Sequence, residues 1–165
     1  MGVLTEEMKR VVREQSLGLV ATVCPDGTPN LSPKGTTTVW DDDHLVFADI
    51  ASPQTIENLR SNPAIEVNVV DPISRKGFRF KGIAELVSEG KLFDKVIAWY
   101  GTGEAGIERD LAGRVRTIVL VRVERAQPLL SPVYAEGKSE EEVRAWWERY
   151  WEERRTEARP RSSRA

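Results

Sequence analysis

The feature that most constrains the fold is a long β-type segment, RVRTIVLVRVERA, at residues 114–126. Because side chains alternate between the two faces of a strand, one face carries a row of valines: Val115, Val119, Val121 and Val123. The opposite face carries Ile118 and Leu120. A strand with apolar residues on both faces has to be covered on both sides. We therefore predict that this strand is packed on both sides, with a second subunit as a candidate for one of them.

Five shorter β-type runs precede this segment, separated by short turns. The first two, LGLVATVC and NLSPKGTTTVW, flank an Asp26-Gly27 turn, which is typical of a β-hairpin. Pro33 and Gly35 interrupt the second run and predict an edge strand or a bulge. The other three runs are LVFAD, AIEVNVV and GFRFKGIAELV, and Gly82 in the last one permits close approach of a ligand or a backbone.

Apolar spacing and capping residues predict helices around these strands. The first helix has four apolar residues on one face: Leu4, Met8, Val11 and Val12. The second begins at Ser52 and is stopped by Asn62-Pro63, and the third begins at Ser88 and runs through KLFDKVIAWYG. We therefore predict a mainly β protein with peripheral helices, in which about six mostly antiparallel strands form a β-barrel.

The C-terminal segment predicts a further helix. Ser139 and Glu142 form a capping-box pattern before EEVRAWWERYWEERR. This helix has a wide apolar stripe: Val143, Trp146, Trp147, Tyr150 and Trp151. We expect the stripe to dock on the barrel or on a dimer mate, and a lid over a ligand is the alternative. The predicted boundaries are 1–130 for the barrel domain, 131–155 for the Trp-rich helix and 156–165 for a disordered tail.

The composition argues against several classes of function. With 24 basic and 26 acidic residues, the net charge of −2 offers no global attraction for nucleic acid. The single cysteine, Cys24, excludes an intramolecular disulfide and a cysteine-based zinc site. The single histidine, His44, lies in a predicted turn, WDDDH, and this position argues against a Ser-His-Asp or Cys-His site. The aspartates of the same turn lack the ligand spacing of a calcium loop. No membrane-length apolar run or signal-peptide pattern occurs, so we expect a cytoplasmic protein.

The stretch FADIASPQTIENL, at residues 47–59, changes from a strand into a helix start. Ser52 suits the N-cap position, and Pro53 suits the first helical position. A helix N-terminus carries unpaired N–H donors and a partial positive charge, so it favours an anion such as phosphate. Ser52 and Thr55 add hydroxyls there, and Gln54 adds an amide. The alternative is that Ser52 only caps its own helix.

The runs PNLSPKG, LVFADIASPQTIENLRSNPAIEVNVV and GFRFKGIAEL resemble, in order and spacing, the pyridoxamine 5'-phosphate oxidase-like family of FMN-binding split β-barrels. The resemblance covers about residues 5–125, and the capped helix followed by NLRSNPAIEV and FRFKG is its most telling part. It implies a six-stranded antiparallel split β-barrel that forms a homodimer and holds FMN at the subunit interface.

The resemblance also implies a set of cofactor-binding positions. Four of them line the isoalloxazine ring and the ribityl chain: Ser32, Pro33, Lys34 and Gly35. Three present backbone groups to the polar edge of the ring: Asp49, Ile50 and Ala51. The phosphate is held at the helix start by Ser52, Gln54 and Thr55, with Asn58 nearby. Arg79, on the GFRFKG strand, faces the flavin of its own subunit or of the partner.

The departures from the family pattern matter as well. True pyridoxamine 5'-phosphate oxidases use arginine and lysine around the FMN phosphate, whereas the turn here reads Ser-Pro-Gln-Thr. Lys34, Arg60 or Lys81 is left to supply the charge, and Lys34 has the alternative of being an exposed edge-strand lysine. The arginine-containing C-terminal pattern that contacts pyridoxal phosphate in those oxidases is also absent. We therefore expect no vitamin B6 chemistry.

The resemblance favours an FMN-dependent oxidoreductase of unknown substrate, in which the flavin carries the chemistry and no catalytic side chain is identified. Trp99, Tyr100 or the terminal helix is expected to shape the substrate pocket. A flavin-binding electron carrier without its own substrate is the first alternative. A split barrel that binds deazaflavin or haem, or an interaction protein that has lost its cofactor, remains open. Haem would need an axial ligand, for which His44 is a poor candidate, and deazaflavin would call for more basic residues at the helix start.

Overall fold

The computed structural model describes residues 2–105, 111 and 113–157. In these residues one curled antiparallel sheet of seven strands is surrounded by four α-helices. The strands are β1 (Gly18–Val23), β2 (Pro29–Lys34), β3 (Thr38–Val39), β4 (His44–Asp49), β5 (Ala64–Asp71), β6 (Lys76–Val87) and β7 (Thr117–Leu130). The helices are α1 (Glu6–Gln15), α2 (Pro53–Ser61), α3 (Lys91–Gly101) and α4 (Glu140–Glu157), and a 3₁₀ turn spans Pro132–Tyr134. The predicted tail lies outside the described residues from position 158 onward, and residues 156 and 157 belong to α4.

The strands follow the order β2-β1-β5-β6-β7-β4-β3 across the sheet. The described residues thus form seven strands where the sequence predicts six, because the predicted run at 29–39 is divided into β2 and β3. The chain turns at the division, where the N–H and the hydroxyl of Thr37 both donate to the Lys34 carbonyl. β2 and β3 become the two edges of the sheet, which confirms that Pro33 lies in an edge strand.

β7 is packed on both faces, as predicted. One hydrophobic cluster contains the valines of the strand: Val119, Val121 and Val123. The cluster on the other face contains the remaining two predicted residues and the buried side of α3: Ile118, Leu120, Val96 and Tyr100. Within the described residues this second cover is therefore provided by α3 of the same chain. The prediction for Val115 is wrong, because this residue precedes β7 and packs against the second cluster.

The helix starts are partly as predicted. At α4 the capping box is confirmed, since Ser139 Oγ accepts from the Glu142 N–H at 3.2 Å and Glu142 Oε2 accepts from the Ser139 N–H at 2.8 Å. The predicted start of α3 at Ser88 is wrong. Gly90 is the N-cap residue there, and the Ser88 hydroxyl lies 3.1 Å from the hydroxyl of Thr117 instead.

The first half of α4 is attached to the end of the β5–β6 hairpin. Arg144 Nη2 lies 2.7 Å from Asp71 Oδ2, and Lys76 Nζ lies 2.7 Å from Glu140 Oε2. Val143, which lies between Glu140 and Arg144 in the sequence of α4, is buried. None of the helices in the described ranges combines the length and the apolar character that crossing a membrane requires.

The WDDDH segment has local structural partners. His44 begins β4, and its Nδ1 lies 2.8 Å from a carboxylate oxygen of Asp41. Asp42 accepts a hydrogen bond from the Lys9 ammonium at 2.6 Å, which ties the segment to α1. In the part of the chain that the structure describes, no three His, Cys, Asp or Glu side chains converge as metal ligands.

Candidate functional site

The junction between β4 and α2 has Ser52 at the N-cap position of the helix, as predicted. Its hydroxyl, however, does not accept a hydrogen bond from the helix. Lys34 Nζ donates to this hydroxyl instead, at 2.6 Å. The alternative that Ser52 only caps its own helix is therefore wrong, and the structure places a lysine from an edge strand at the helix start.

Lys34 is a buried cation with neutral partners. Its residue exposure is 4%, and its ammonium also donates to Ser32 Oγ at 2.6 Å. Among the residues that the structure describes, no carboxylate lies within ion-pair distance of this ammonium. Burial lowers the pKa of Lys34, and the charge of Asp49 opposes that shift in part. The alternative of an exposed edge-strand lysine is therefore wrong.

Asp49 and its neighbours form the floor of the junction. The Asp49 carboxylate is buried and accepts a hydrogen bond from the Ser52 N–H at 3.0 Å. The backbone carbonyl of Asp49 accepts a hydrogen bond from the backbone N–H of Arg116 at 3.1 Å. Ile50 packs partly buried against the α3 cluster, and Ala51 is exposed. The predicted contacts of this backbone with a flavin ring stay predictions.

A small cleft of about 150 Å³ opens beside Ser52, and its lining includes Arg60 and Arg116. Neither arginine has an ion-pair partner among the described residues. Arg60 is one of the three cations that the sequence offers for the site. Sequence reasoning missed Arg116, which reaches the cleft because Asp49 pairs with Thr117 across β4 and β7. A local sequence pattern contains no signal for such a pairing.

The buried face of α2 is hydrogen-bonded to β1. Asn58 is fully buried, its amide nitrogen donates to Thr22 Oγ1 at 2.9 Å, and its amide oxygen accepts from Gln54 Nε2 at 2.9 Å. Thr55 is also buried, at 1% exposure. Gln54 and Thr55 lie in the first turn, as predicted, whereas Asn58 is occupied by contacts within the chain. Their contacts with a phosphate stay predictions.

The segment after Lys34 is hydrogen-bonded to α3 at Thr36 and has open space beside Gly35. Apart from Gly35 itself and its two chain neighbours, no atom of the described residues lies within 4 Å of the position that a Cβ of Gly35 would occupy. Pro33 is exposed on the edge strand. The hydroxyl of Tyr100 donates to the carbonyl of Thr36 at 2.7 Å. Tyr100 is buried in the α3 cluster, so it positions this segment and does not line an open substrate pocket.

Arg79 and Lys81 lie on β6, where their ionic partner is Glu66 of β5. Arg79 Nε lies 3.0 Å from Glu66 Oε1 without hydrogen-bond geometry, and Lys81 Nζ lies 3.2 Å from Glu66 Oε2. In register, Arg79 is opposite Asn68 and Gln127. The polar partners of both cations thus belong to the centre of the sheet. Of the three candidate cations, Lys34 contacts Ser52, and Arg60 lines the cleft beside Ser52 from the last turn of α2.

Comparison with known proteins agrees with this architecture. A family model described as pyridoxamine 5'-phosphate oxidase matches residues 4–128. The crystal structure of HupZ from Group A Streptococcus is 33% identical in sequence and has a TM-score of 0.66, covering 78% of this chain and 95% of that one. No curated protein matches the sequence.

Two further solved structures show likeness of fold alone, because their sequences are less similar. An F420 reductase is 24% identical with a TM-score of 0.58, over 75% of this chain and 98% of that one. An FMN-binding protein from Syntrophomonas wolfei is 16% identical with a TM-score of 0.60, over 74% of this chain and 84% of that one. The split β-barrel expected from the sequence is thus confirmed as the fold.

Proposed function

This chain belongs to the pyridoxamine 5'-phosphate oxidase family, and from that premise we propose that it is an FMN-binding flavoprotein that acts as an FMN-dependent oxidoreductase. The observation that carries the proposal is the buried ammonium of Lys34, held 2.6 Å from the Ser52 hydroxyl at the start of α2. A buried charge with only neutral partners carries a desolvation cost. A phosphate dianion offsets that cost through charge-assisted hydrogen bonds.

The cations that are absent from the Ser-Pro-Gln-Thr turn come from other elements. Lys34 is supplied by β2, Arg60 by the end of α2, and Arg116 by the segment before β7. The helix dipole adds a partial positive charge at the start of α2, where Lys34 contacts Ser52. Because Asp49 already accepts the Ser52 N–H, we assign the phosphate to the Ser52 hydroxyl and the cations, and not to that N–H.

Bound FMN would supply the hydride or electron transfer, so the proposed reaction requires no protein nucleophile. The residues of the chain have the role of binding and orienting it. The phosphate would fix one end of the cofactor. The positions that we assign to the ring and the ribityl chain are Ser32, Pro33, Gly35 and residues 49–51. Gly35 leaves the space that such a close approach requires.

We assign a homodimer in which the partner subunit packs on one face of strands β2, β1, β5 and β6. This outer face is the one that carries Leu31, Leu19, Asn68 and Arg79. Leu31 is 64% exposed there and Leu19 is 38% exposed. On the same face, Leu19 is opposite Asn68, and Asn68 is opposite Arg79. Among the described residues, buried Asn68 Oδ1 and Arg79 Nε have no hydrogen-bond partner, and Arg79 Nε has only the ion pair with Glu66. Apolar exposure and unsatisfied polar atoms on one face support an interface that a second copy completes.

The first test is a visible absorption spectrum of the purified protein after FMN has been added and the excess removed by desalting. We expect retained flavin absorption, and reduction of the bound flavin by NAD(P)H would support an oxidoreductase. A bound flavin that NAD(P)H leaves oxidised would favour an electron carrier or another donor. A protein that retains no flavin would refute the proposal.

The phosphate site is tested by Ser52→Ala, with Ser61→Ala at the exposed far end of the same helix as the matched control. We expect weaker FMN binding in the first variant only, because the control removes a hydroxyl that lies away from Lys34. Equal FMN affinity in the two variants would place the phosphate elsewhere.

A deazaflavin is the second candidate cofactor, and the unpaired cations favour it. The sequence indicates too few basic residues at the helix start for a deazaflavin, yet the structure brings Arg60 and Arg116 to that cleft. One protein of similar fold is described as an F420 reductase. A parallel titration with F420 decides between the two, since tighter binding of F420 than of FMN would replace FMN in the proposal.

A further inference from the structure

The site at the start of α2 contains a buried carboxylate whose charge opposes a phosphate. Asp49 is 4% exposed, and it lines the same cleft as Ser52 and Arg116. Its Oδ1 accepts a hydrogen bond from the Ser52 N–H at 3.0 Å, and N–H groups at a helix start are donors that anionic ligands use. Across the ranges that the structure describes, no cation lies within ion-pair distance of this carboxylate. The site therefore already holds one anionic group of its own.

Asp49 and Lys34 contact Ser52 through different atoms. Lys34 Nζ donates to the Ser52 hydroxyl at 2.6 Å, whereas Asp49 accepts from the Ser52 N–H. Both side chains are buried, and the charge of Asp49 reaches the ammonium, since it opposes the lowering of the Lys34 pKa by burial. The two charges sum to zero at this end of the site. A phosphate there is attracted by Lys34 and repelled by Asp49, and both effects grow with the charge of the phosphate.

This pair of charges bears on which charge state of a phosphate the site accepts. A phosphate monoester such as FMN carries close to two negative charges above its second pKa of about 6, whereas a phosphodiester carries one. We propose that Asp49 is a specificity-determining residue, which lowers the preference of the site for a doubly charged phosphate over a singly charged one. This inference rests on the proposed flavin function and adds to it a residue that limits the affinity.

A second role for Asp49 predicts an effect of opposite sign. A carboxylate that served only to keep Lys34 protonated would favour phosphate binding, and its removal would weaken the binding of FMN. The geometry favours repulsion instead, because the hydrogen-bond partners of the Lys34 ammonium in the described chain are hydroxyls, and Asp49 lines the cleft itself. A bound phosphate would also keep the ammonium protonated without help from Asp49.

Equilibrium titrations of Asp49→Asn and of the wild type test the inference at about pH 7.5, above the second pKa of a phosphate monoester. The amide oxygen of asparagine still offers an acceptor to the Ser52 N–H. The ligands are riboflavin, riboflavin 5'-methyl phosphate and FMN, which share the ring and the ribityl chain and differ in phosphate charge. We expect Asp49→Asn to leave riboflavin binding unchanged, to tighten binding of the methyl phosphate about 5-fold and to tighten binding of FMN about 25-fold. Comparing each ligand between the two proteins cancels the steric effect of the methyl group.

Glu57→Gln is the matched control, because it removes one negative charge from the exposed side of the same helix and does not line the cleft. Salt screens an exposed charge, so the control should leave all three affinities within about twofold. Asp49→Ser repeats the measurement with a second side chain that offers an oxygen to the Ser52 N–H. Far-UV circular dichroism verifies the fold of each variant.

The outcomes separate this inference from the proposed function. A gain in affinity that increases with the charge of the ligand supports the role of Asp49. Unchanged or weaker FMN binding in Asp49→Asn would overturn that role and leave the flavin proposal standing. An equal gain for all three ligands would assign Asp49 to the ring and overturn it as well. A wild-type protein that binds none of the three ligands would refute the proposed function, and this inference with it.

Discussion

Replacing Lys34 with methionine separates the binding role of this side chain from its effect on stability. Methionine retains most of the apolar stem and removes the charge. In the free protein the substitution removes a buried cation whose hydrogen-bond partners in the described part of the chain are the Ser32 and Ser52 hydroxyls. It also removes the group that we assign to the FMN phosphate. We therefore expect a protein that is more stable without cofactor and that binds FMN more weakly.

The magnitudes follow from the contacts. A hydrogen bond to a charged group contributes about 1.5–3 kcal/mol, and every 1.4 kcal/mol is a factor of ten in Kd. Loss of one such contact with the phosphate therefore weakens FMN binding by about 10- to 150-fold. In the cofactor-free protein, removing the desolvation cost of the cation outweighs the loss of two hydrogen bonds to hydroxyls. We expect the free energy of unfolding to rise by about 1 kcal/mol.

The assay is a pair of fluorescence titrations with FMN and with riboflavin, which has the same ring and no phosphate. Lys34→Met should weaken FMN binding and leave riboflavin binding unchanged. Lys81→Met is the control variant, since Lys81 is paired with Glu66 in the middle of the sheet. Equal loss of affinity for both ligands would show that Lys34 acts on the ring or on the fold, and would refute the phosphate assignment. Chemical denaturation of the cofactor-free variant supplies the stability.

Three further outcomes follow from the structure. Burial lowers the pKa of Lys34 below its ordinary value of 10.5, so the unfolded chain binds more protons than the folded chain between those two pKa values. Across that pH window the free energy of unfolding should rise with pH, and the affinity for FMN should fall. Denaturation and binding measured as a function of pH check both outcomes, and Lys34→Met should remove both pH dependences. Gly82→Ala should lower the free energy of unfolding by about 2–4 kcal/mol in chemical denaturation, because a Cβ there would lie 2.0 Å from a β7 carbonyl oxygen; Gly35→Ala, which meets open space, should change it little, and equal effects would contradict this reasoning. Hydrogen bonds from Lys76 and Arg144 lower the pKa of Glu140, so the stabilisation that they give to the start of α4 should be lost as pH falls through that lowered pKa. Glu140→Gln should therefore speed amide hydrogen exchange in α4 at neutral pH, and Glu141→Gln, which has no ion-pair partner in the described residues, should not.

Local patterns predicted the elements well, because the forces that form them act over a few residues. The Ser139 and Glu142 capping box forms as its spacing indicates. The alternation of apolar residues in β7 gives a cluster on each face. Pro33 marks an edge strand because proline cannot donate to a sheet ladder. Where a local signal was weak, as at Ser88, the prediction failed, and Gly90 caps α3 instead.

The sequence by itself thus determined the strands, most helix starts and a polar helix start at Ser52. Tertiary structure decided what surrounds Ser52. Antiparallel pairing of β4 with β7 carries Arg116 to the same cleft, and the end of β2 carries Lys34 into a buried position. It also decided that α3 covers the second face of β7. The physical reason is that propensity and capping depend on near neighbours, whereas the charge around a site depends on which strands are adjacent, and strand order is set by the packing of the whole sheet.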